Sequence, residues 1–191
     1  MQNYSIEELE SILGKVGTNV QIHRSVVFFN PKEIKIGSNV RIDCFCLLSA
    51  GVKGIHINDH IHIGAATHLF GSGGEIILEN YSNLSSRVSL FTSNDDYQDG
   101  FMTNPTISED YKKVSNGPVI LRKHAIVGCG SILLPNVEIS LGGAVGALSL
   151  VKKNVPEFAI MGGIPAKVIG ERNRRLLDIE EKFSGIYSRK H

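Results

Sequence analysis

Between Phe91 and Tyr97 the chain reads Phe91-Thr92-Ser93-Asn94-Asp95-Asp96-Tyr97, two adjacent carboxylates at the head of a polar stretch. An anionic carboxylate can hold an ammonium group, orient the amine, and stabilise the charge that develops as the amine attacks a carbonyl. It is a poor base for a hydroxyl, whose acidity is close to that of water, pKa about 15.7. Asp at about 3.9 lies roughly 2.6 units below His at about 6.5, a deficit of about 3.5 kcal/mol in proton affinity. A neutral amine already carries its nucleophilic lone pair and avoids that demand. The plain alternative is that Asp95 and Asp96 only shape a loop turn. Histidines His56, His60, His62, His68 and His124 are spread along the chain. His60-x-His62 could supply two metal ligands on one strand face, but the sequence places no third. Cys44, Cys46 and Cys129 are odd in number and too few for a disulfide framework. They read as small buried filler in a reducing compartment.

The elements that position these groups are set by a period of six. From Leu121 an aliphatic residue recurs at Val127, Leu133, Ile139, Val145 and Val151, and small or β-branched residues follow four places after each. The same beat runs through Leu78-Leu84-Leu90, Ile57-Ile63-Leu69 and Ile36-Ile42-Leu48, with a weaker start at Val20-Val26. Six helical steps rotate about 600°, or 240° net, and would scatter the aliphatics over three faces. Six strand steps return a side chain to the same face. Short bent strands with the aliphatic always inward stack into a parallel β-solenoid. A sandwich would show longer alternating runs.

Breaks in the beat locate a working edge. The beat is interrupted after Leu48, Leu69 and Leu90, each twenty-one residues after the last. If a coil holds three hexads, all three insertions leave one edge of the prism, where insertions commonly build a binding surface. The third is a long polar excursion over 94–117. Ser5 with Glu7 and Glu8 heads a short amphipathic helix, and Glu171 to Phe183 reads as a second, so that both open ends are capped.

Composition narrows the classes of function. Twenty Lys plus Arg against nineteen Asp plus Glu leave a net charge of +1, which gives no support to nucleic-acid binding. No apolar run approaches the roughly 20 residues of a membrane helix. The start, Met1 to Glu8, lacks the basic and apolar regions of a secretion signal, so the expected location is cytoplasmic.

The hexads, together with Gly142-Gly143-Ala144, Gly146-Ala147, Lys152-Lys153 and Gly162-Gly163-Ile164-Pro165-Ala166-Lys167, resemble the hexapeptide-repeat acyltransferases. That resemblance implies an all-β fold, a left-handed parallel β-helix of triangular coils, an exception to the right-handed crossover rule. The expected organisation is a cap helix over 1–14, the β-helix over 15–169 with its projecting loop at 94–117, and a C-terminal helix and tail over 170–191. The resemblance also implies acetyl-CoA (coenzyme A) as co-substrate, bound without a metal in a groove between subunits of a homotrimer. Small residues there let the pantetheine arm approach, and cations meet the phosphates. On the matching positions the expected CoA contacts are Cys129, Gly142, Ala144, Ala147, Lys152, Lys153, Pro165, Ala166 and Lys167. A second cation sometimes found three residues after the first is Gly170 here.

On the acceptor side the chain departs from its relatives. Sugar O-acetyltransferases of the family carry a Tyr-Thr-x-x-His motif whose histidine takes the hydroxyl proton, and Asp95 stands at that histidine's place. The chain is therefore most similar to the N-acetyltransferases acting on nucleotide-linked amino sugars of the dTDP-4-amino-4,6-dideoxyglucose type, in O-antigen or capsular polysaccharide synthesis. Expected catalytic residues are Asn94, Asp95 and Asp96, and expected substrate contacts are Ser86, His68 and Tyr97. Tyr97 could stack on a base, whereas Phe28 and Phe29 read as apolar core. The alternatives are a sugar O-acetyltransferase using a histidine base, a zinc hydratase of the γ-carbonic anhydrase type, which needs three histidines, and a non-catalytic scaffold.

Overall fold

A computed structural model describes residues 2–187. Each hexad forms a short strand that ends at a corner, and the strands stack into three parallel faces of a prism. The first face runs Lys15–Val16, Ile34–Ile36, Ile55–Ile57, Ile76–Leu78, Val119–Leu121 and Val137–Ile139. The second begins Gln21–Ile22, Arg41–Ile42, His62–Ile63, Asn83–Leu84, Ile126–Val127 and Ala144–Val145. The third runs Val27–Phe29, Leu47–Ala50, His68–Gly71, Ser89–Phe91, Ile132–Leu133 and Leu150–Val151. Equivalent hexad positions pair directly, so Ile42, Ile63, Leu84, Val127 and Val145 form one inward column and Leu48, Leu69, Leu90, Leu133 and Val151 another. Nearly all of these side chains are fully buried. The architecture is a left-handed parallel β-helix of about 7 turns.

The corners require a left-handed backbone. At the first edge, between the first and second faces, Asn39, His60, Tyr81 and His124 hold φ near 60°, and at the second edge, between the second and third, so do Phe45, Ala66, Arg87 and Leu148. A left-handed residue with a side chain costs about 1–2 kcal/mol. The stack offsets this because each corner amide finds a carbonyl in the coil beneath: His60 N–H donates to Ser38 O at 3.0 Å and Ala66 N–H to Cys44 O at 2.9 Å.

The three insertions leave the third edge, as the arithmetic of the interruptions requires, and they are stacked: a Cβ on Gly51 would stand 2.3 Å from Gly71 O. The long excursion departs as a β-ribbon. Ser93–Asp95 pairs antiparallel with Val114–Asn116, and a 3-10 turn at Glu109–Tyr111 lies beyond it.

The N-terminal end is closed as expected. Helix α1, Ile6–Ile12, carries a complete capping box between Ser5 and Glu8, and Leu9 and Leu13 enter the core. The C-terminal expectation needs correction on two counts. Helix α2 spans Leu176–Tyr187, five residues later than Glu171, because Lys167–Glu171 is a strand antiparallel to Ala159–Gly162 on the second face. Nor does α2 cap the prism; it lies along the first edge. Glu180 forms an ion pair with Lys123 at 2.6 Å and a hydrogen bond with His124 Nε2 at 2.8 Å, and the Phe183 ring meets His60 edge-on at 5.5 Å. Burial raises the Glu180 carboxyl, but these two partners outweigh it and hold the group below its ordinary range.

Candidate active site

The ribbon at the third edge builds a cleft of about 490 Å³, lined by Ser72, Asn94, Asp95, Asn104, Glu109 and Lys112 among others. The two neighbouring carboxylates have different surroundings. Asp96 is occupied by its own turn: Oδ2 accepts the Asp99 N–H at 2.7 Å, Oδ1 accepts the Gln98 N–H at 3.3 Å, and its N–H donates to Lys113 O. Asp95 ends its strand in register with Val114 and faces the cleft, where Oδ2 accepts one long bond from Asn104 N–H at 3.4 Å. Asn94 accepts the Tyr97 hydroxyl at 3.0 Å on Oδ1, which ties down an aromatic side chain that is 82% exposed. Lys113 binds Asp99 farther out and is held protonated above its usual range by that bond.

The second edge is a different surface. In its upper coils Cys129, Ala147, Pro165 and Ala166 come together on closely packed backbone. Leu148 N–H donates to Cys129 O at 2.9 Å, Ala166 N–H donates to Leu150 O at 2.8 Å, and Gly163 N–H donates to Ser149 Oγ at 3.1 Å. A Cβ on Gly128 would come within 2.5 Å of Ala147 N, so the coils meet here without side-chain padding. Leu148 and Ile164 stay 71% and 75% exposed and line the same edge. Ser86 sits in the coil below, where its carbonyl accepts the Gly130 N–H.

Not every expected contact reaches this edge. Ala144 and Lys167 lie on the adjoining second face. Lys152 and Lys153 are exposed just after the strand Leu150–Val151, at the third edge. Gly142 stands on the first edge beneath Phe158, whose ring a Cβ there would meet at 2.7 Å, and its carbonyl accepts Arg172 Nη1. His68 is on the outside of the third face, between Leu47 and Ser89, its ring tilted against Phe70 at 5.9 Å. Within one chain, therefore, Ser86 and Asp95 occupy opposite margins of the third face, separated by Ser89–Phe91.

The histidine pair diverges. His60 stacks on Tyr81 at 5.0 Å on the first edge, and His62 on the second face sits 2.8 Å from Asp43 Oδ2. Burial pushes the Asp43 carboxyl up, but the bonds from His62 and Arg41 leave it below the ordinary range. Phe28 packs on the core, whereas Phe29 is 55% exposed and belongs to the outer third face. Ser85, Gly64, Phe45 and Arg87 also stand near the second edge, at corner positions that recur in sequence every twenty-one residues.

The cysteines separate in a testable way. Cys46 is buried, donates to Gly64 O at 3.2 Å, and burial pushes its thiol up to about 11. Cys129 is exposed, not filler, because it occupies an outward corner position. An aromatic disulfide reagent should label Cys129 well ahead of Cys46, a difference read by peptide mass. If Cys129 contacts CoA, as the resemblance implies, CoA about 100-fold above its Kd should slow labelling roughly 100-fold, following the free fraction. Labelling of Cys129 that ignores CoA would overturn that expectation.

No protein-family model matches the chain. Individual proteins do. The chain is 45% identical over 168 residues, 88% of its length and 87% of the relative's, to a dTDP-4-amino-4,6-dideoxy-D-glucose acyltransferase of Escherichia coli. It superposes with TM-score 0.92 and 39% identity, covering 98% of each chain, on AntD, an N-acyltransferase from Bacillus cereus in complex with dTDP and 3-hydroxybutyryl-CoA. A serine-to-alanine mutant of AntD, in complex with dTDP-4-amino-4,6-dideoxyglucose and coenzyme A, matches with TM-score 0.90 at 40% identity, covering 96% of this chain and 98% of that one.

Proposed function

The chain belongs to the dTDP-4-amino-4,6-dideoxyglucose acyltransferase family, within the hexapeptide-repeat acyltransferases, and we propose that it transfers the acetyl group of acetyl-CoA to the amino group of a dTDP-linked 4-amino-4,6-dideoxyglucose. The observation that carries nitrogen over oxygen is Asp95: the cleft at the ribbon presents a carboxylate with one long hydrogen bond, and no histidine lines it. Asp95 accepts hydrogen bonds from the substrate ammonium and orients the amine once the ammonium has lost a proton to solvent. The nitrogen lone pair then forms the new C–N bond at the thioester carbonyl, the C–S bond breaks, and the proton shed by nitrogen ends on the departing CoA thiol. Asp96 keeps the ribbon turn in place, and Asn94 ties down the Tyr97 hydroxyl.

AntD has been solved with a serine and an aspartate, ten positions apart, replaced. Ser85 and Asp95 stand at that interval here, as do Ser86 and Asp96. With the Asp96 carboxylate held in its own turn, the first pair is the one that fits the chemistry, and Ser86 supports the backbone beside it.

Because the serines and Asp95 lie on opposite margins of the third face, a second copy that laid its ribbon against this edge would complete the site. The outer third face favours such packing: Phe70 and Phe91 stack at 4.9 Å, with Val27, Phe29 and Ile132 exposed beside them. A homotrimer follows as the proposed assembly, cytoplasmic, supplying acetylated sugar for O-antigen or capsule. Among the described residues, no helix is long and apolar enough to cross a membrane.

The test is to incubate the protein with acetyl-CoA or 3-hydroxybutyryl-CoA and either dTDP-4-amino-4,6-dideoxyglucose or its 4-hydroxy counterpart, following free thiol. Thiol release is expected with the amine alone and fastest with acetyl-CoA. Release only with the hydroxy sugar, abolished by His68→Ala, would replace this reading with hydroxyl transfer.

A further inference from the structure

The ribbon cleft holds an ion pair to which the acyl-transfer chemistry gives no task. Lys112 is the one cationic residue among those lining the cleft, and its side chain is only 6% exposed. Its partner is Glu109 at 2.7 Å, on the 3-10 turn, with a side chain 84% exposed. No other side chain pairs with the Lys112 ammonium among the described residues. The neighbouring Lys113 is engaged separately, with Asp99.

Strand alternation explains why this cation is in the cleft at all. Asp95 stands opposite Val114 in the ribbon, and the backbone at Lys112 is extended. Lys112 and Val114 therefore project to the side that Asp95 faces, and Lys113 projects to the other. A residue set diagonally across an antiparallel pair is roughly 7–8 Å away, within reach of a long side chain. Asp95 and Glu109 are the two carboxylates that line the cleft, so Lys112 has two anions to choose between. Asp95 is the less engaged of them, with one long bond from Asn104 N–H at 3.4 Å. A buried ammonium left without an anion is strongly unfavourable. Removing the Glu109 charge therefore turns Lys112 toward Asp95. That pair would occupy the carboxylate that receives the acceptor and would set a cation where another must enter.

We infer that Glu109 is a positioning residue for amine transfer: it holds the Lys112 ammonium aside, so that the Asp95 carboxylate stays open to the incoming ammonium. This rests on the functional reading above in one respect, that the acceptor arrives as an ammonium at Asp95. Steady-state kinetics of the full chain with acetyl-CoA and dTDP-4-amino-4,6-dideoxyglucose test it. Glu109→Ala should raise KM for the amino sugar about 10-fold, as expected when a charge-assisted contact must first be displaced. Saturating acceptor displaces Lys112, so kcat should stay within about 2-fold of wild type. KM for acetyl-CoA should not move. Adding Lys112→Met to Glu109→Ala should bring the amino-sugar KM back toward wild type, a recovery that damage to the turn alone cannot give. Crystals of Glu109→Ala should show Lys112 Nζ about 2.8 Å from an Asp95 oxygen. Glu109 is exposed, so an unchanged Tm will report intact folding.

A wild-type KM in Glu109→Ala would overturn the inference, as would a double variant as impaired as the single one. Loss of turnover in Lys112→Met alone would also overturn it, by assigning the lysine to the substrate. Wild-type protein that releases no thiol with the amino sugar overturns the functional reading instead. The crystals then still decide the role of Glu109: Lys112 found on Asp95 upholds the restraint, and Lys112 found elsewhere ends it.

Discussion

Asp95→Asn is expected to lower kcat/KM for the amino sugar roughly 10- to 150-fold, the loss that follows when about 1.5–3 kcal/mol of charge-assisted hydrogen bonding is removed. The substitution keeps the shape of the side chain and the bond from Asn104 N–H, but it removes the negative charge that holds an ammonium in the cleft. Affinity for CoA should stay at the wild-type value, because the residues proposed to contact CoA on the second edge, from Cys129 to Ala166, are not part of the ribbon. Asp96→Asn is the informative partner. An asparagine oxygen can keep the 2.7 Å bond from Asp99 N–H and gives up only the longer 3.3 Å bond from Gln98 N–H, because the amide nitrogen cannot accept, so its activity should remain close to wild type. Equal losses in both variants, or a loss confined to Asp96→Asn, would move the functional charge one residue along the chain. An unchanged kcat/KM for Asp95→Asn would take the ribbon out of the reaction.

Gly64→Ala is expected to damage catalysis more than its size suggests. A Cβ there would stand 2.6 Å from Ser86 N, 2.9 Å from the Ser85 carbonyl carbon and 3.1 Å from Ser86 Cα, all of it backbone that cannot rotate away. The coil above must shift, and with it the Ser85–Ser86 corner. Overpacking of this kind costs about 1–3 kcal/mol, or roughly 2–12 °C in Tm for a domain of this length. Displacing positioning groups by about 1 Å can cost on the order of 100-fold in rate, and that is the expected fall in kcat/KM. Gly185→Ala is the control. It lies in α2, where a Cβ meets nothing within 4 Å, and alanine favours a helix by about 0.8–1.0 kcal/mol over glycine. Activity should be retained and Tm should hold or rise. Wild-type activity in Gly64→Ala, measured on folded protein, would show that the serine corner does not position substrate.

The last helix was displaced from Glu171 to Leu176 because Lys167–Glu171 could extend the second face, and pairing an open sheet edge outweighs five residues of helix. Its amphipathic stripe was legible, but its partner was not. The apolar side fits the stacked rings of Tyr81 and His124 on the first edge, a surface assembled from residues more than forty positions apart. Cys129 read as filler on composition, and only its corner position exposed it. Gly142 and Ala147, alike in sequence as small residues a few positions apart, stand on different edges because each hexad advances the chain by one face.

The rungs themselves were determined by sequence. One aliphatic residue every six positions is a local rule, satisfied within a single strand and repeated until the columns from Ile42 to Val145 and from Leu48 to Val151 are buried. The shared edge of the three insertions followed from their twenty-one-residue spacing. Tertiary structure alone decided which carboxylate is free. Asp95 and Asp96 are chemically identical neighbours, and the difference between them arises when the ribbon closes on Val114, turning one toward the cleft and spending the other on the amides of Gln98 and Asp99. It also decided that Phe45 and Arg87, forty-two residues apart, share an edge, because stacking converts a distance along the chain into the short step between coils.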